Sequence, residues 1–230
     1  MADFLTGLPL FAVALTFGTF QIGLWCQKKT KFALCNPILI SALLVIGVLL
    51  LTKIDPKVYD AQMDSISWLL TPMTVSLAVP LYQQIKVLKK NLPAVFTGVL
   101  AGTLVSLLTV LGMCIFFRLD RQFTVSLLPK NITSAIGMAI AEENGGNSTL
   151  AFISIFITGI LGNLAGPFLC RLLKITDQIS MGAAYGTASH LVGTARATEE
   201  GTLCGAVSSL SLVAAGICTA LLFPLICSFL

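Results

Sequence analysis

The chain has 230 residues, 56% of them hydrophobic, and only 24 carry a formal charge, 14 basic and 10 acidic. Soluble domains are roughly 25% charged, so a charged fraction of 10% with a mean hydropathy of +0.94 leaves too few ions to cover a water-facing surface. These figures exclude a disordered chain, a nucleic-acid-binding domain and an ordinary cytosolic enzyme.

The few charges are clumped. No formal charge falls in 4–27, 32–52, 65–85, 91–117, 144–170, 178–195 or 201–230. A helix rises about 1.5 Å per residue, so roughly 20 residues cross a hydrocarbon core of about 30 Å. A soluble helical protein would show apolar stripes with polar residues between them. The spacing therefore predicts an all-α, polytopic transmembrane protein, read as one integral membrane domain over 1–230.

Leu5–Trp25 is the first predicted span. It follows Met1-Ala2-Asp3 without a basic leader and is too long for a signal-peptide core, so it reads as a retained span. Lys28, Lys29 and Lys31 follow it at once, as basic residues do at cytoplasmic helix ends. The N-terminus is then expected outside. Leu34–Thr52 is the second span, and Lys53–Asp64, with Asp55, Asp60 and Asp64, suits the outer side. Ser65–Gln83 is uncharged but carries Pro72 and Pro80, which remove backbone donors and disturb a helix. Lys86, Lys89 and Lys90 mark a return to the inside before the span Leu92–Phe117.

Phe123–Ala141 is irregular, with Pro129 beside Lys130. Thr149–Leu169 is another complete span, and Leu203–Phe229 closes the chain. Between them Ile179–Ala195 is unusually polar, holding Tyr185, Thr187, Ser189, His190 and Thr194 among three glycines. Prolines and glycines are common in membrane helices as kinks and packing contacts. Polar, interrupted segments are nevertheless tolerated at membrane depth only where protein or a watery cavity surrounds them. In secondary transporters they mark the substrate site.

A weak internal repeat links 65–118 with 123–171. Leu69-Leu70-Thr71-Pro72 is followed by Thr97-Gly98-Val99-Leu100-Ala101-Gly102, and Leu127-Leu128-Pro129 by Thr158-Gly159-Ile160-Leu161-Gly162-Asn163. Each copy reaches a basic residue, Arg118 or Arg171. If Phe123–Ala141 re-enters rather than crosses, Arg171 and Lys174 fall inside and the repeat is inverted, which suits the positive-inside rule. Seven scattered cysteines, with no Cys-x-x-Cys pair, read as small apolar residues without a metal or disulfide role.

Two constellations can carry chemistry. Asn131, Thr133 and Ser134 can start a helix whose free N–H groups meet an anion, with Lys130 adding charge. Glu142, Gly145 and Gly146 follow in the same stretch. The bland reading is a capped helix after a loop. In the second, Thr187, His190 and Thr194 fall at i, i+3 and i+7, on one face of a continuous helix, while Gly182, Gly186 and Gly193 admit a close neighbour. His190, the one histidine, is a candidate proton relay or a hydrogen-bonded structural residue. Arg196 suits a carboxylate ligand, or pairs with Glu199 or Glu200. Asn163 is a further polar residue inside an apolar run. No nucleophile elbow, phosphate-cradling loop or metal-ligand spacing is present, so neither an enzyme nor a cofactor is expected.

At these residues the chain resembles the LrgB/CidB family of bacterial membrane proteins. The resemblance rests on Thr133-Ser134-Ala135 through Glu142-x2-Gly145-Gly146, on Ile157-Thr158-Gly159-Ile160-Leu161-Gly162, and on Gly186-Thr187-Ala188-Ser189-His190-x2-Gly193-Thr194-Ala195-Arg196-Ala197-x-Glu199. Leu77-Ala78-Val79-Pro80-Leu81-Tyr82, Ser208-Ser209-Leu210 and Pro224 extend it over nearly the whole chain. One departure is that family members often carry proline after a Thr-Thr pair, where this chain has Ser134-Ala135. The resemblance implies a multi-pass protein of the bacterial inner membrane. It also implies one of two roles. Some members are described as holin-like or antiholin-like proteins that modulate murein hydrolase activity and lysis with a small LrgA/CidA-type partner. Others resemble carriers of glycolate, glycerate or pyruvate. The polar, broken segments favour transport of a small organic acid, with the bilayer as surroundings, a small membrane protein as partner and a homo-oligomer as an open option.

Overall fold

The computed structural model describes residues 10–30, 37–69, 72, 75–76 and 78–228, and every regular element among them is a helix. The chain divides into two compact units, Met1–Ser76 and Leu77–Leu230. The third interrupted stretch predicted from the sequence, Ser65–Gln83, falls partly outside the described residues, as does Cys35.

In the first unit α1 (Phe11–Thr30) and α2 (Pro37–Thr52) pack side by side. Gly23 makes this possible, because a Cβ there would sit 2.7 Å from the Pro37 carbonyl oxygen. Thr19 and Ser41 share a buried hydroxyl–hydroxyl bond of 2.9 Å across the pair. Asp55 caps α3 (Pro56–Ser67) by accepting from Lys57 N–H, with Pro56 in the first turn, where its missing N–H costs nothing. α3 returns to α1 through Tyr59 and Thr16, 2.6 Å apart, and through Gln62 Oε1, which accepts from Ala12 N–H.

The second unit begins with the short α4 (Ala78–Gln83) and continues with α5 (Ile85–Phe116), α6 (Arg121–Leu127), α7 (Ser134–Glu143), α8 (Ser148–Leu172), α9 (Gln178–Glu200) and α10 (Thr202–Cys227). Among the described residues α5, α8 and α10 are long and apolar enough to cross a membrane. They correspond to the predicted spans from Leu92, Thr149 and Leu203. α5 starts earlier than its apolar run because Lys86, Lys89 and Lys90 continue the helix beyond it.

α5 and α8 end in the same way. A basic residue adopts left-handed geometry, Arg118 (φ 52°) and Lys174 (φ 55°), and the next N–H reaches back to a cysteine carbonyl, Leu119 to Cys114 and Ile175 to Cys170. This is the Schellman arrangement. An aspartate then caps the following helix, Asp120 on Phe123 N–H and Asp177 on Ser180 N–H. In both cases the helix that follows is interrupted.

Hydrogen bonds from the Ser180 backbone and hydroxyl hold the Asp177 carboxyl below its usual range. A carboxyl whose folded pKa is depressed stabilises above its unfolded value, near 3.9, and loses that stabilisation as the pH falls through the folded value. Asp177→Ala is thus expected to melt lower than wild type at neutral pH, with the gap closing below about pH 4. Circular-dichroism melts at pH 7, 4 and 2.5 measure it.

Candidate functional site

The two interruptions lie side by side. The first runs from Leu128 to Thr133, between α6 and α7. Pro129 supplies no donor, and Lys130 and Ile132 N–H bond back only three residues, to Leu127 and Pro129 carbonyls. The helix restarts at Ser134 after an extended Thr133 (φ −64°, ψ 146°) whose side chain makes no cap. Gly137 N–H is the first to close a turn, on Thr133 O, so the N–H groups of Ser134, Ala135 and Ile136 lie ahead of the intrahelical ladder. The break forms with Ser134-Ala135, not proline, after Thr133.

The second interruption lies within α9, at Ser189 (φ −135°, ψ 17°) and His190 (φ 41°, ψ −134°). Positive φ with strongly negative ψ is normally left to glycine and costs a side-chain-bearing residue on the order of 1–3 kcal/mol. Neighbours hold it there. His190 is 5% exposed, its Nε2 lies 2.9 Å from Ile155 O, and its own carbonyl accepts from Thr194 Oγ1. A ring nitrogen facing a carbonyl must carry the hydrogen, so Nε2 donates and Nδ1 carries the lone pair of the neutral ring.

α8 accommodates this geometry with a glycine stripe. A Cβ at Gly159 would meet the His190 ring at 2.7 Å, one at Gly162 would overlap the Ser189 side chain, and one at Gly166 would overlap the Tyr185 ring. Asn163, on the same helix, donates from Nδ2 to Val192 O at 3.1 Å and steadies the second half of α9. The breaks are joined directly, since Asn131 Nδ2 donates to Thr187 O at 3.2 Å. That bond fixes the amide orientation and leaves the buried Asn131 Oδ1 unpartnered.

Both restarting half-helices open on one cavity of about 140 Å³. Thr133 and Ser134 come from the start of α7, His190, Leu191 and Val192 from the second half of α9, and Phe152, Ile155 and Phe156 from α8. Helix starts carry partial positive charge, and here two of them flank a histidine, with Thr133 and Ser134 beside it and apolar side chains over the rest of the wall. On the other side Lys130 and Thr187 line a separate, larger cavity.

Asn131, Thr133, Ser134, Thr187 and His190 are thus gathered at the breaks, with Asn163 supporting them. Other candidates serve packing. The kink removes the single face expected of Thr187, His190 and Thr194. Thr194 instead bonds Ser208 on α10, and a Cβ at Gly186 would overlap Ser208 O. Gly193 packs on Tyr185 and Ser189 within its own helix. Arg196 takes the alternative partners, Glu199 at 2.8 Å and Glu200 at 2.7 Å, and lines neither cavity. Glu142 is exposed, Gly145 turns the chain after α7 at φ 85°, and Gly146 packs on Ala141, Val125 and Ser126. Sequence reasoning missed Ile155, whose carbonyl fixes the histidine tautomer; the i, i+3, i+7 spacing of Gly159, Gly162 and Gly166 was the signal that α8 forms the floor.

Part-exposed ion pairs contribute about 0.2–1 kcal/mol, and Arg196 lines neither cavity. Arg196→Ala is expected to lower the melting temperature only slightly, read by circular-dichroism melts.

Residues 16–229 match the LrgB-like family. The chain belongs to that family. It is 34% identical over 214 residues to the holin-like protein CidB of Staphylococcus epidermidis, covering 93% of each chain. Against the holin-like protein CidB of Staphylococcus aureus it is 32% identical over 220 residues, covering 94% of this chain and 95% of that one. The Bacillus subtilis protein YwbG is 29% identical over 195 residues, 85% of this chain and 87% of the other. No solved structure matches it. Family and apolar helices together make this a membrane-embedded, all-helical LrgB-type protein.

Proposed function

We propose that this LrgB-type protein is a carrier of small organic monocarboxylates, of the size of pyruvate, glycolate or glycerate, rather than an enzyme. The observation that supports it best is the meeting of two interrupted helices whose restarting ends share one small cavity with His190. At roughly 30 Å³ per water, 140 Å³ holds about four or five waters, which suits a two- or three-carbon acid. The carboxylate is placed at the first-turn N–H groups of α7 and the Ser134 hydroxyl. His190 joins it through Nδ1 only when the ring is protonated, because Nε2 is committed to Ile155 O. Among the described residues His190 is the one titratable side chain lining this cavity, so uptake should rise as the external pH falls. The proposed orientation, with the N-terminus outside, follows the lysine clusters.

The experiment is uptake of labelled pyruvate, lactate, glycolate and glycerate by proteoliposomes at pH 5.5 and 7.5, with and without a small LrgA/CidA-type protein. Saturable uptake, greater at pH 5.5, supports the carrier. The names of the staphylococcal relatives favour a second reading, a holin-like or antiholin-like regulator of murein hydrolase activity acting with that small partner. It predicts altered autolysis on deletion in the absence of any organic-acid flux.

A further inference from the structure

The larger cavity is chemically unlike the His190 site. It measures about 660 Å³ and lies between α5 and the first half of α9. Lys130 is the one charged side chain on its wall, half-buried and, among the described residues, without an ion pair. Thr187, 6% exposed, and Ser106 line the same space, and their hydroxyl oxygens are buried without a hydrogen-bond partner. Val105, Ile179 and Ala183 represent the rest of the wall, which is largely apolar. The Asn131–Thr187 bond holds the Lys130 backbone beside Thr187.

A half-buried cation without an ion pair calls for an anion, because charge withdrawn from water is costly until it is paired. Two orphan hydroxyls can donate to the same anion. One cation matches one negative charge, and the remaining wall matches hydrocarbon. We propose that this cavity is a second anion site, for monocarboxylates with an apolar body of about five to seven carbons, held by Lys130, Ser106 and Thr187. It goes beyond the carrier reading and does not depend on it, since it uses another cavity and other side chains.

The test is calorimetric binding of propionate, valerate and heptanoate, with the dicarboxylate glutarate, to the full chain in lipid nanodiscs. Each added methylene that enters the cavity should tighten binding by about 4-fold, and glutarate should bind at least ~10-fold more weakly than valerate. Lys130→Met should lose at least ~10-fold in affinity, and Lys130→Arg should retain most of it. Gly98→Leu supplies a second variant: its Cβ position meets open space, so the side chain enters the cavity without a backbone clash. It should remove the gain from valerate to heptanoate and leave propionate unchanged. His190→Gly should leave the valerate and heptanoate affinities intact, so loss of three-carbon uptake and loss of this site are read separately. Binding insensitive to chain length, equal binding of glutarate, or wild-type affinity in both Lys130→Met and Gly98→Leu would overturn the proposal, the last showing acid held by lipid.

Discussion

His190→Gly is expected to leave a folded, membrane-inserted protein that no longer takes up small acids efficiently. Glycine adopts φ 41°, ψ −134° without penalty, so the substitution releases backbone strain of about 1–3 kcal/mol. Against that stands the lost bond to Ile155 O, about 0.5–1.5 kcal/mol net. The two are of similar size, and the melting temperature should stay within a few degrees of wild type. The carrier reading gives a different magnitude for flux. A hydrogen bond to a charged group contributes about 1.5–3 kcal/mol, so uptake efficiency should fall by roughly 10- to 150-fold and its pH dependence should disappear. His190→Ala cannot separate these effects, because alanine retains the strain and loses the ring. Melting and uptake measured on one His190→Gly preparation do separate them. Wild-type uptake with a wild-type pH profile would remove the histidine from the site; loss of both folding and uptake would make it a structural residue.

The spans were readable because charge exclusion is a strong, local signal. The boundaries of α8 and α10 fall within a few residues of the apolar runs starting at Thr149 and Leu203. α5 was read too short, since lysines mark the membrane edge and not the end of a helix. The first observed break was legible in Pro129, which acts through its own backbone. The second was legible only as a polar, glycine-rich stretch, because neither Ser189 nor His190 is a helix breaker. That kink comes from contacts distant in sequence: the space above Gly162, the ring seat at Gly159 and the Ile155 carbonyl. For the same reason the helical phase linking Thr187 to Thr194 misled. Gly186 and Thr194 looked like ligand-facing residues, but they sit against α10, where small side chains let two backbones approach closely.

Gly162→Ala and Gly112→Ala should shift stability in opposite directions. Both lie inside long apolar helices, α8 and α5, and alanine is favoured over glycine there by about 1 kcal/mol when nothing else intervenes. At Gly112 nothing lies within 4 Å of the added methyl, so Gly112→Ala should raise the melting temperature slightly. At Gly162 the methyl would occupy the place of the Ser189 side chain, at the residue where α9 breaks. Ser189 cannot swing aside freely, because it is buried and its neighbour is pinned on Ile155 O. Overpacking of this kind costs about 1–3 kcal/mol, which exceeds the propensity gain, and the apparent melting temperature should drop by several degrees. The cause can be isolated. Ser189→Gly removes the overlapping atoms, so the double variant should recover most of the loss, and a double-mutant cycle should show coupling of at least ~0.5 kcal/mol. Strict additivity of the two substitutions would mean that α8 and the α9 break are not in contact, and the floor of the His190 site would have to be sought elsewhere.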